Sequence, residues 1–310
     1  MVKKLSVSEQ MLYEWGPGVL KSLLFDRTTR KNIVWATADY EPVSFAYKAN
    51  SEITVAAITG RYSGIASPRT TKTKELQNGR TRDRAEVFTP SWLCNEQNNL
   101  IDEAWFGRRN VFNTPSAHGW RTTKDNIAFP VTKSRTWKEY VDERRLEITC
   151  GEAPYLVSRY DPTTGEPIKL GRRIGLLDRK MRVVKENSTC EEEWLRWSER
   201  AFQSVYGFEI QGDSLLLARE NLLASYEEYM WAALKRRPTR RELGRIALII
   251  SWNLWQMDGL TCAPPYEKAP QPYEQGQLFS TDSSPTGMPC LIRDWRTKKT
   301  ISFISLISKK

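Results

Sequence analysis

The sequence predicts an α/β fold, because strand-like and helix-like segments alternate through the second half of the chain. The clearest pair is a short apolar strand at 204–210, followed by a long helix over 213–237. Another predicted strand, at 146–150, ends in a tight turn that contains a glycine. With 310 residues, of which 40% are hydrophobic, the chain can bury a substantial core.

The composition narrows the class of protein. Lys and Arg number 47 against 37 Asp and Glu, and this net charge of +10 suits a polyanionic partner. The single histidine, His118, excludes an HNH nuclease, a Cys/His zinc site and a relay that uses two histidines. Five scattered cysteines without a CxxC pair indicate reduced thiols in a cytoplasm. No apolar run approaches the roughly 20 residues that span a bilayer, and the start lacks the apolar core of a secretory signal, so we expect no membrane partner.

Residues 1–80 form a mixed N-terminal region to which the sequence assigns no role. Alternating runs at 32–37 and 52–59 are typical of strands. The segment 69–84 is dense in basic residues and poor in apolar ones. We interpret it as a solvated linker or loop, with phosphate contact as an alternative. The sequence therefore predicts a unit at 1–80 and a second unit at 81–310.

Helix signals are clear in the second unit. Thr89-Pro90 precedes a helix predicted over 91–102, and another is predicted over 191–204. Pro238 ends the long helix, and Thr239-Arg-Arg-Glu242 is a capping box for a helix that should end near Gly259. Because this last helix is apolar, the pair around Pro238 indicates a packed hairpin rather than a DNA-reading helix-turn-helix. The remaining predictions are a tight turn at 160–166, a loop at 261–290 and strands at 290–295 and 300–306.

The segment Leu146–Leu156 carries the first candidate site. It combines a strand that ends in the carboxylate of Glu147 with a Thr149-Cys-Gly151 turn. A glycine lets the backbone approach a ligand closely, because no Cβ intervenes. In an open α/β sheet, the crevice beyond the carboxyl end of a strand is where nucleotide-like cofactors bind.

Four segments occur in a characteristic order: 85–90, which contains Phe88-Thr-Pro90, then 146–151, then 206–210, and finally 291–295. This order resembles the gamma-class N6-adenine DNA methyltransferases of restriction–modification systems, over roughly residues 80–310. The resemblance implies a Rossmann-like sheet that binds S-adenosyl-L-methionine, and double-stranded DNA as the substrate.

The resemblance also implies a role for each matching residue. Phe88, Thr89 and Pro90 would contact the amino-acid end of the cofactor. Glu147, Thr149 and the backbone around Gly151 would hold its methionine part. Glu209, at a strand end, offers two acceptors to the ribose hydroxyls, as the ribose-binding acid of dinucleotide folds does. Ile210 would lie against the adenine ring, and Asp294 would accept from its amine. Taken singly, Glu209 and Asp294 could also be solvated carboxylates at strand ends.

The sequence departs from the family in three places. Ala153 stands where the turn usually has its second glycine. The distance from Gly151 to Glu209 exceeds the roughly 20 residues of nucleotide-binding units, which indicates an insertion around 160–187. The catalytic N-P-P-Y motif, which orients the target amine and stacks on the flipped base, has only one near match, Ala263-Pro-Pro-Tyr266. Alanine has no acceptor for the amine, and this segment precedes Asp294, so we interpret it as a surface loop.

These departures predict the cofactor half of a split enzyme. We expect no catalytic residue in this chain, because the sequence ends at Lys310, about where the strand leading into N-P-P-Y should begin. A second methyltransferase subunit would supply that motif, and the apolar segment 301–307 would be an unpaired strand edge that awaits it.

Two other functions remain open. One is a metal-dependent restriction endonuclease, for which Asp161, Glu166 and Lys169 offer the acidic and basic side chains at cramped spacing. The other is a non-catalytic protein that keeps the methyltransferase shape in order to bind DNA or inhibit another enzyme.

Overall fold

Three short parallel strands organise the second half of the molecule. The computed structural model describes residues 9–84, 86–131, 135–267 and 287–307, without the side chains of 83 and 84. The strands are β1 Asn113–Ser116, β2 Gly119–Thr122, β3 Arg145–Glu147, β4 Val205–Glu209, β5 Leu254–Gln256, β6 Leu291–Asp294 and β7 Lys299–Ser302. The helices are α1 Glu9–Trp15, α2 Pro17–Leu24, α3 Val55–Ile58, α4 Lys74–Arg84, α5 Ser91–Phe106, α6 Trp137–Asp142, α7 Leu176–Asn187, α8 Glu191–Gln203, α9 Gly212–Leu234, α10 Arg240–Asn253 and α11 Ile304–Ile307. The predicted α/β class is therefore confirmed.

The parallel sheet has the order β3-β4-β5, with β4 in the centre. Leu146 of β3 lies opposite Tyr206, and Phe208 of β4 lies opposite Trp255 of β5. All five residues of β4 are buried, as expected for a central strand covered on both faces. Helices α7 and α8 connect β3 to β4, and α9 and α10 connect β4 to β5. The carboxyl ends of all three strands therefore meet at one edge of the sheet.

Strand β5 was not predicted. The expected helix to Gly259 ends at Asn253, and the chain enters the sheet directly at Leu254. The side-chain amide of Asn253 donates to the carbonyls of Phe202 and Val205, at 3.0 and 2.9 Å. These two bonds tie the end of α10 to the start of β4. The last residues of the predicted helix are thus a strand of the sheet.

The N-terminal region, predicted as a separate unit at 1–80, shares its hydrophobic core with the rest of the described chain. Helix α2 packs against α10, and buried side chains from both sides of that boundary share one hydrophobic cluster. The amide of Gly212 donates to the carbonyl of Trp35, and the side chain of Gln256 bonds both backbone groups of Val34. The strands predicted at 32–37 and 52–59 are only isolated bridges, and 55–58 is helical.

The basic segment 69–84 is largely helical, although it was predicted as a linker or loop, and half of its residues with described side chains are exposed. It contains α4, and the side chain of Arg80 inside it is 2% exposed. Arg80 donates to Asp213 at 2.8 and 3.1 Å and also pairs with Glu86. Lys72 donates to the same Asp213 carboxylate at 2.7 Å. Lys72 and Arg80 therefore neutralise buried carboxylates, so these two cations give no support to phosphate contact.

The C-terminal part corrects another prediction. Strands β6 and β7 pair antiparallel, separate from the parallel sheet. Of the apolar segment predicted as a strand edge at 301–307, only residues 301 and 302 belong to β7, and 304–307 form α11. Most of the loop predicted at 261–290 lies outside the described residues, which resume at 287. Within the described parts of the chain, no helix has the length and apolar character needed to cross a membrane.

Candidate functional site

A cavity of about 620 Å³ lies at the carboxyl ends of β3 and β4. This volume is within the range of small-molecule and cofactor sites, about 300–1,000 Å³. Seven of the nine site residues predicted from the sequence line it: Phe88, Thr89, Glu147, Thr149, Gly151, Glu209 and Ile210. Pro90 lies beside the cavity as the residue before α5, and Asp294 lies elsewhere. Segments far apart in the sequence are therefore brought to one place.

Glu209 is the last residue of the central strand, and it lines the cavity. One carboxylate oxygen accepts from the amides of Ile210 and Gln211, at 2.9 and 3.0 Å. The other accepts from the amide of Gly151 at 2.9 Å, which joins β4 to the glycine turn. Burial raises the pKa of Glu209, and these three donors oppose that rise. Since a carboxylate offers about four acceptor positions, one remains for a ligand.

Glu147 joins the end of β3 to the next turn of the chain. Its two carboxylate oxygens accept from the amides of Tyr155 and Leu156, at 3.2 and 3.1 Å. Burial raises the pKa of Glu147 to about 8, and the negative charge of Glu209 acts in the same direction. The cavity therefore holds a carboxyl group that is poised to ionise when a positive charge comes close.

The turn between these two residues has unusual backbone geometry. Thr149, Gly151 and Ala153 all have positive φ, at 46°, 53° and 62°. For a β-branched residue such as Thr149 this region is an outlier, and such strain tends to cluster at functional sites. Ala153, which replaces the expected glycine, keeps the left-handed conformation that glycine would adopt freely. The Phe88 ring packs closely over Gly151, with its nearest carbon 3.4 Å from where a Cβ would be.

The chemistry of the lining favours a positively charged ligand with an apolar part. Glu86, Glu147 and Glu209 line the cavity, and no Lys or Arg is among its described lining residues. A phosphate-bearing dinucleotide would meet three acidic side chains here, and no Lys or Arg among the described lining residues. Three apolar side chains at the cavity are exposed, namely Val87 (74%), Ile148 (66%) and Ile210 (39%).

Two polar lining groups have no hydrogen-bond partner within the described ranges, and one of them is an oxygen of Glu86. The side-chain oxygen of Gln211 is buried and has no hydrogen-bond partner within the described ranges. Because a buried acceptor without a donor is costly, the site is incomplete as it stands. The cavity thus offers hydrogen-bond acceptors beside apolar side chains, which suits a ligand that carries hydrogen-bond donors and an apolar ring.

Asp294, which was predicted to accept from the adenine amine, does not line this cavity. It ends β6, accepts from the amide of Arg296 at 3.0 Å and lies 3.9 Å from Arg144. Together with Arg144 and Tyr206, it lines a separate small pocket of about 140 Å³. Asp294 and Glu209 therefore line different pockets.

Sequence reasoning missed the third parallel strand, β5, and with it Asp258. This carboxylate follows β5 by two residues and accepts from the amide of Leu260 at 2.8 Å. The sequence signal for this strand was the short apolar run Leu254-Trp-Gln-Met257 with an acidic residue directly after it. Ala263-Pro-Pro-Tyr266 therefore follows the acid after the third strand, and the argument from order against that segment no longer applies. Ala263 itself is buried, and its carbonyl accepts from the amide of Asp258 at 2.9 Å.

The residues of the nuclease alternative form a turn. Asp161 accepts from the amides of Ser91, Thr163 and Thr164 at 2.8–2.9 Å, as expected for the tight turn predicted at 160–166. Across the residues that the structure describes, no group of three His, Cys, Asp or Glu side chains could hold a metal ion. The metal-dependent alternative therefore has no supporting cluster.

Comparison with known proteins adds no relative. The site is thus defined by its own geometry: paired strand ends, a strained glycine turn and three carboxylates around one cavity. No family model, curated protein or solved structure matches this chain.

Proposed function

We propose that the cavity at the ends of β3 and β4 binds S-adenosyl-L-methionine, and that the chain is the cofactor-binding subunit of a DNA adenine-N6 methyltransferase. One observation carries the proposal. Seven residues chosen from the order of sequence motifs alone line a single cavity at adjacent parallel strand ends. Two unrelated strand-end carboxylates and an F-T-P segment would not be expected to converge in this way by chance.

Different lining residues would bind different parts of the cofactor. Glu209, with one acceptor position left, would bind a ribose hydroxyl, and Gln211 would provide a second acceptor beside it. Ile210 would cover the adenine ring. Glu147, once ionised, would bind the ammonium group of the methionine part, close to the turn at Gly151. The bound cofactor supplies an activated methyl group on its sulfonium.

The described sheet supports a partner for catalysis. β3 is an edge strand, and Leu146 and Ile148 at this edge are exposed. Strands added beside β3 would make its carboxyl end the point where the strand order reverses, which is where open α/β sheets bind ligands. The only segment similar to N-P-P-Y begins with Ala263, which lacks a side-chain acceptor. A second subunit would therefore bring both the added strand and the acceptor that steers the adenine amine.

The cofactor part of the proposal can be tested by thermal unfolding. A ligand at 100 times its dissociation constant stabilises the folded state by about 2.7 kcal/mol. We expect S-adenosyl-L-methionine to raise the melting temperature of the wild-type chain and to raise that of Glu209→Gln clearly less. ATP, which carries phosphates into the acidic cavity, should have no effect on either protein. Equal shifts with ATP and S-adenosyl-L-methionine would contradict the assignment.

The partner part needs a transfer assay. Tritiated methyl groups should pass to unmethylated DNA only when this chain is co-expressed with a subunit that carries N-P-P-Y. Label incorporated by the purified single chain would refute the split arrangement, although not the cofactor site.

A second candidate function is a non-catalytic methyltransferase-like protein. It is favoured by the self-contained hydrogen bonding of Glu209, whose carboxylate already accepts from three amides. Absence of cofactor binding, even with the partner subunit present, would support this alternative.

A further inference from the structure

A second and larger cavity, of about 980 Å³, is formed by segments with no part in the cofactor site. One wall is the β1–β2 hairpin with the residues just after it. The other is the segment 170–173 together with α7. The second wall falls within the region 160–187, which the sequence indicates as an insertion. The predicted insertion would therefore form one wall of this cleft as well as lengthen the connection between β3 and β4.

Basic side chains dominate this cleft. Two acids, Asp178 and Glu186, line it together with seven basic residues: Arg121, Lys124, Arg172, Arg173, Arg179, Arg182 and Lys185. Both acids are already engaged. Asp178 is buried and accepts from Ser158 and Tyr229, and Glu186 accepts from Arg182 and from the amide of Ile127. The open surface of the cleft is therefore strongly positive.

Four of the seven basic residues have no acidic partner in the described parts of the chain. Arg173, Arg179 and Arg182 pair with Glu228, Asp102 and Glu186. The remaining four are exposed, and they lie on both walls: Arg121, Lys124, Arg172 and Lys185. Exposed cations that face each other across a cleft repel, and an anion between them removes that repulsion.

One of the four is held in place by an aromatic ring. The indole of Trp120 donates to the carbonyl of Arg172 at 2.8 Å, and the Arg172 guanidinium lies 5.6 Å from the centre of the Trp120 ring. This contact joins the hairpin to the opposite wall. The cleft is therefore a fixed feature, with its cations presented from two linked elements.

We propose that this cleft binds the phosphate backbone of duplex DNA. Cations spread over two walls suit a polyanion with charges at regular intervals better than a single phosphate. The position outside the cofactor cavity suits contacts that hold a duplex without reading its sequence, since phosphate contacts position and base contacts specify. The inference rests on the proposed function in taking DNA as the partner, and it assigns the positioning of that DNA to the insertion.

The test compares two triple variants that lose the same charge. The cleft variant is Arg121→Gln, Lys124→Gln and Lys185→Gln, which leaves Arg172 and its contact with Trp120 intact. The control variant is Lys21→Gln, Lys31→Gln and Arg241→Gln, which are also exposed and line neither cavity. Fluorescence anisotropy would measure binding of the full chain to a labelled duplex of about 20 base pairs at several salt concentrations. Urea unfolding of each variant would check that it is folded.

We expect the cleft variant to bind the duplex at least tenfold more weakly than the control at the same salt. Each lost phosphate contact should lower the slope of log affinity against log salt by about 0.9, so the cleft variant should lose about 2 to 3 in slope. Equal weakening in both variants would overturn the proposal, because net charge alone would then explain binding. Wild-type binding to a polyglutamate peptide but not to the duplex would also overturn it, by pointing to an acidic protein.

The outcome is separable from that for the cofactor. If the cleft variant loses DNA but the wild type shows no thermal shift with S-adenosyl-L-methionine, the cleft proposal stands and the cofactor proposal fails. If the thermal shift is present and the cleft variant binds DNA as tightly as the control variant, only the cleft proposal fails.

Discussion

Asp213 is the centre of a buried charge network, and replacing it by asparagine tests how that network holds the cavity wall. Its carboxylate is fully buried and accepts from Arg80, Lys72 and Tyr40 at 2.7–3.1 Å. Burial alone would raise the pKa of Asp213. The positive charges of Lys72 and Arg80 nevertheless hold this pKa well below its ordinary value. Arg80 also pairs with Glu86, which lines the cavity. Asp213 thus connects α9 to the segment that carries Phe88.

The substitution Asp213→Asn should cost about 3 kcal/mol. Breaking a buried ion pair by removing one partner typically costs about 3–5 kcal/mol, because the other charge is left uncompensated. We expect a loss of unfolding free energy at the lower end of this range, because Arg80 keeps Glu86 and Asp39 as partners. With a urea m-value of about 3 kcal/mol/M, the unfolding midpoint should fall by about 1 M.

The control is Glu199→Gln, which makes the same change from carboxylate to amide at a surface pair. Its partner Arg245 has a side chain that is 66% exposed, so the loss should stay below about 1 kcal/mol. Because the pKa of Asp213 is lowered in the folded state, its contribution is present above the unfolded value of about 4 and disappears as the pH falls below it. The difference between wild type and Asp213→Asn should therefore shrink below about pH 4. Equal midpoints for Asp213→Asn and Glu199→Gln at pH 7 would refute the reasoning.

Three further predictions concern packing, ionisation and thiol exposure. Gly212→Ala should destabilise the chain by about 1–3 kcal/mol, because a Cβ there would overlap the carbonyl of Val34. Gly244→Ala, in a helix with open space around it, should stabilise by about 0.5–1 kcal/mol; equal urea midpoints would contradict this account. Because the folded-state pKa of Glu147 is raised to about 8, its protonated form favours folding below about pH 4, and this contribution is lost as the pH rises through 8. Glu147→Gln should therefore gain stability relative to wild type across that interval, and a constant difference in urea midpoint would show that burial does not penalise the charge. A thiol reagent should label one cysteine in the folded protein, and Cys190→Ser should abolish the labelling, because Cys190 is exposed and the other four are buried.

The elements that the sequence predicts correctly have strong local signals. The capping box at Thr239 and Glu242 is present, and α5, α8 and α9 lie where apolar spacing and Pro238 indicate them. The coarse α/β class and the cavity at the strand ends follow from the same signals. Local chemistry is enough in these cases because caps, turns and amphipathic faces act within a few residues.

The errors come from contacts between residues far apart in the chain. Leu254-Trp-Gln256 is too short to show periodicity, and only its pairing with β4 makes it a strand. Arg80 belongs to a basic, apolar-poor segment, and nothing local shows that its charge is neutralised by Asp213, 133 residues later. Asp294 was chosen by motif order alone, and the hairpin that carries it belongs to a different sheet.

Isothermal titration calorimetry with S-adenosyl-L-methionine tests the proposed cofactor site most directly. The geometry predicts binding of one molecule per chain, weakened at least tenfold by Glu209→Gln and unchanged by Asp294→Ala, because only the first residue lines the cavity. Equal affinity for the wild type and Glu209→Gln, or loss of binding with Asp294→Ala, would show that the cofactor site lies elsewhere.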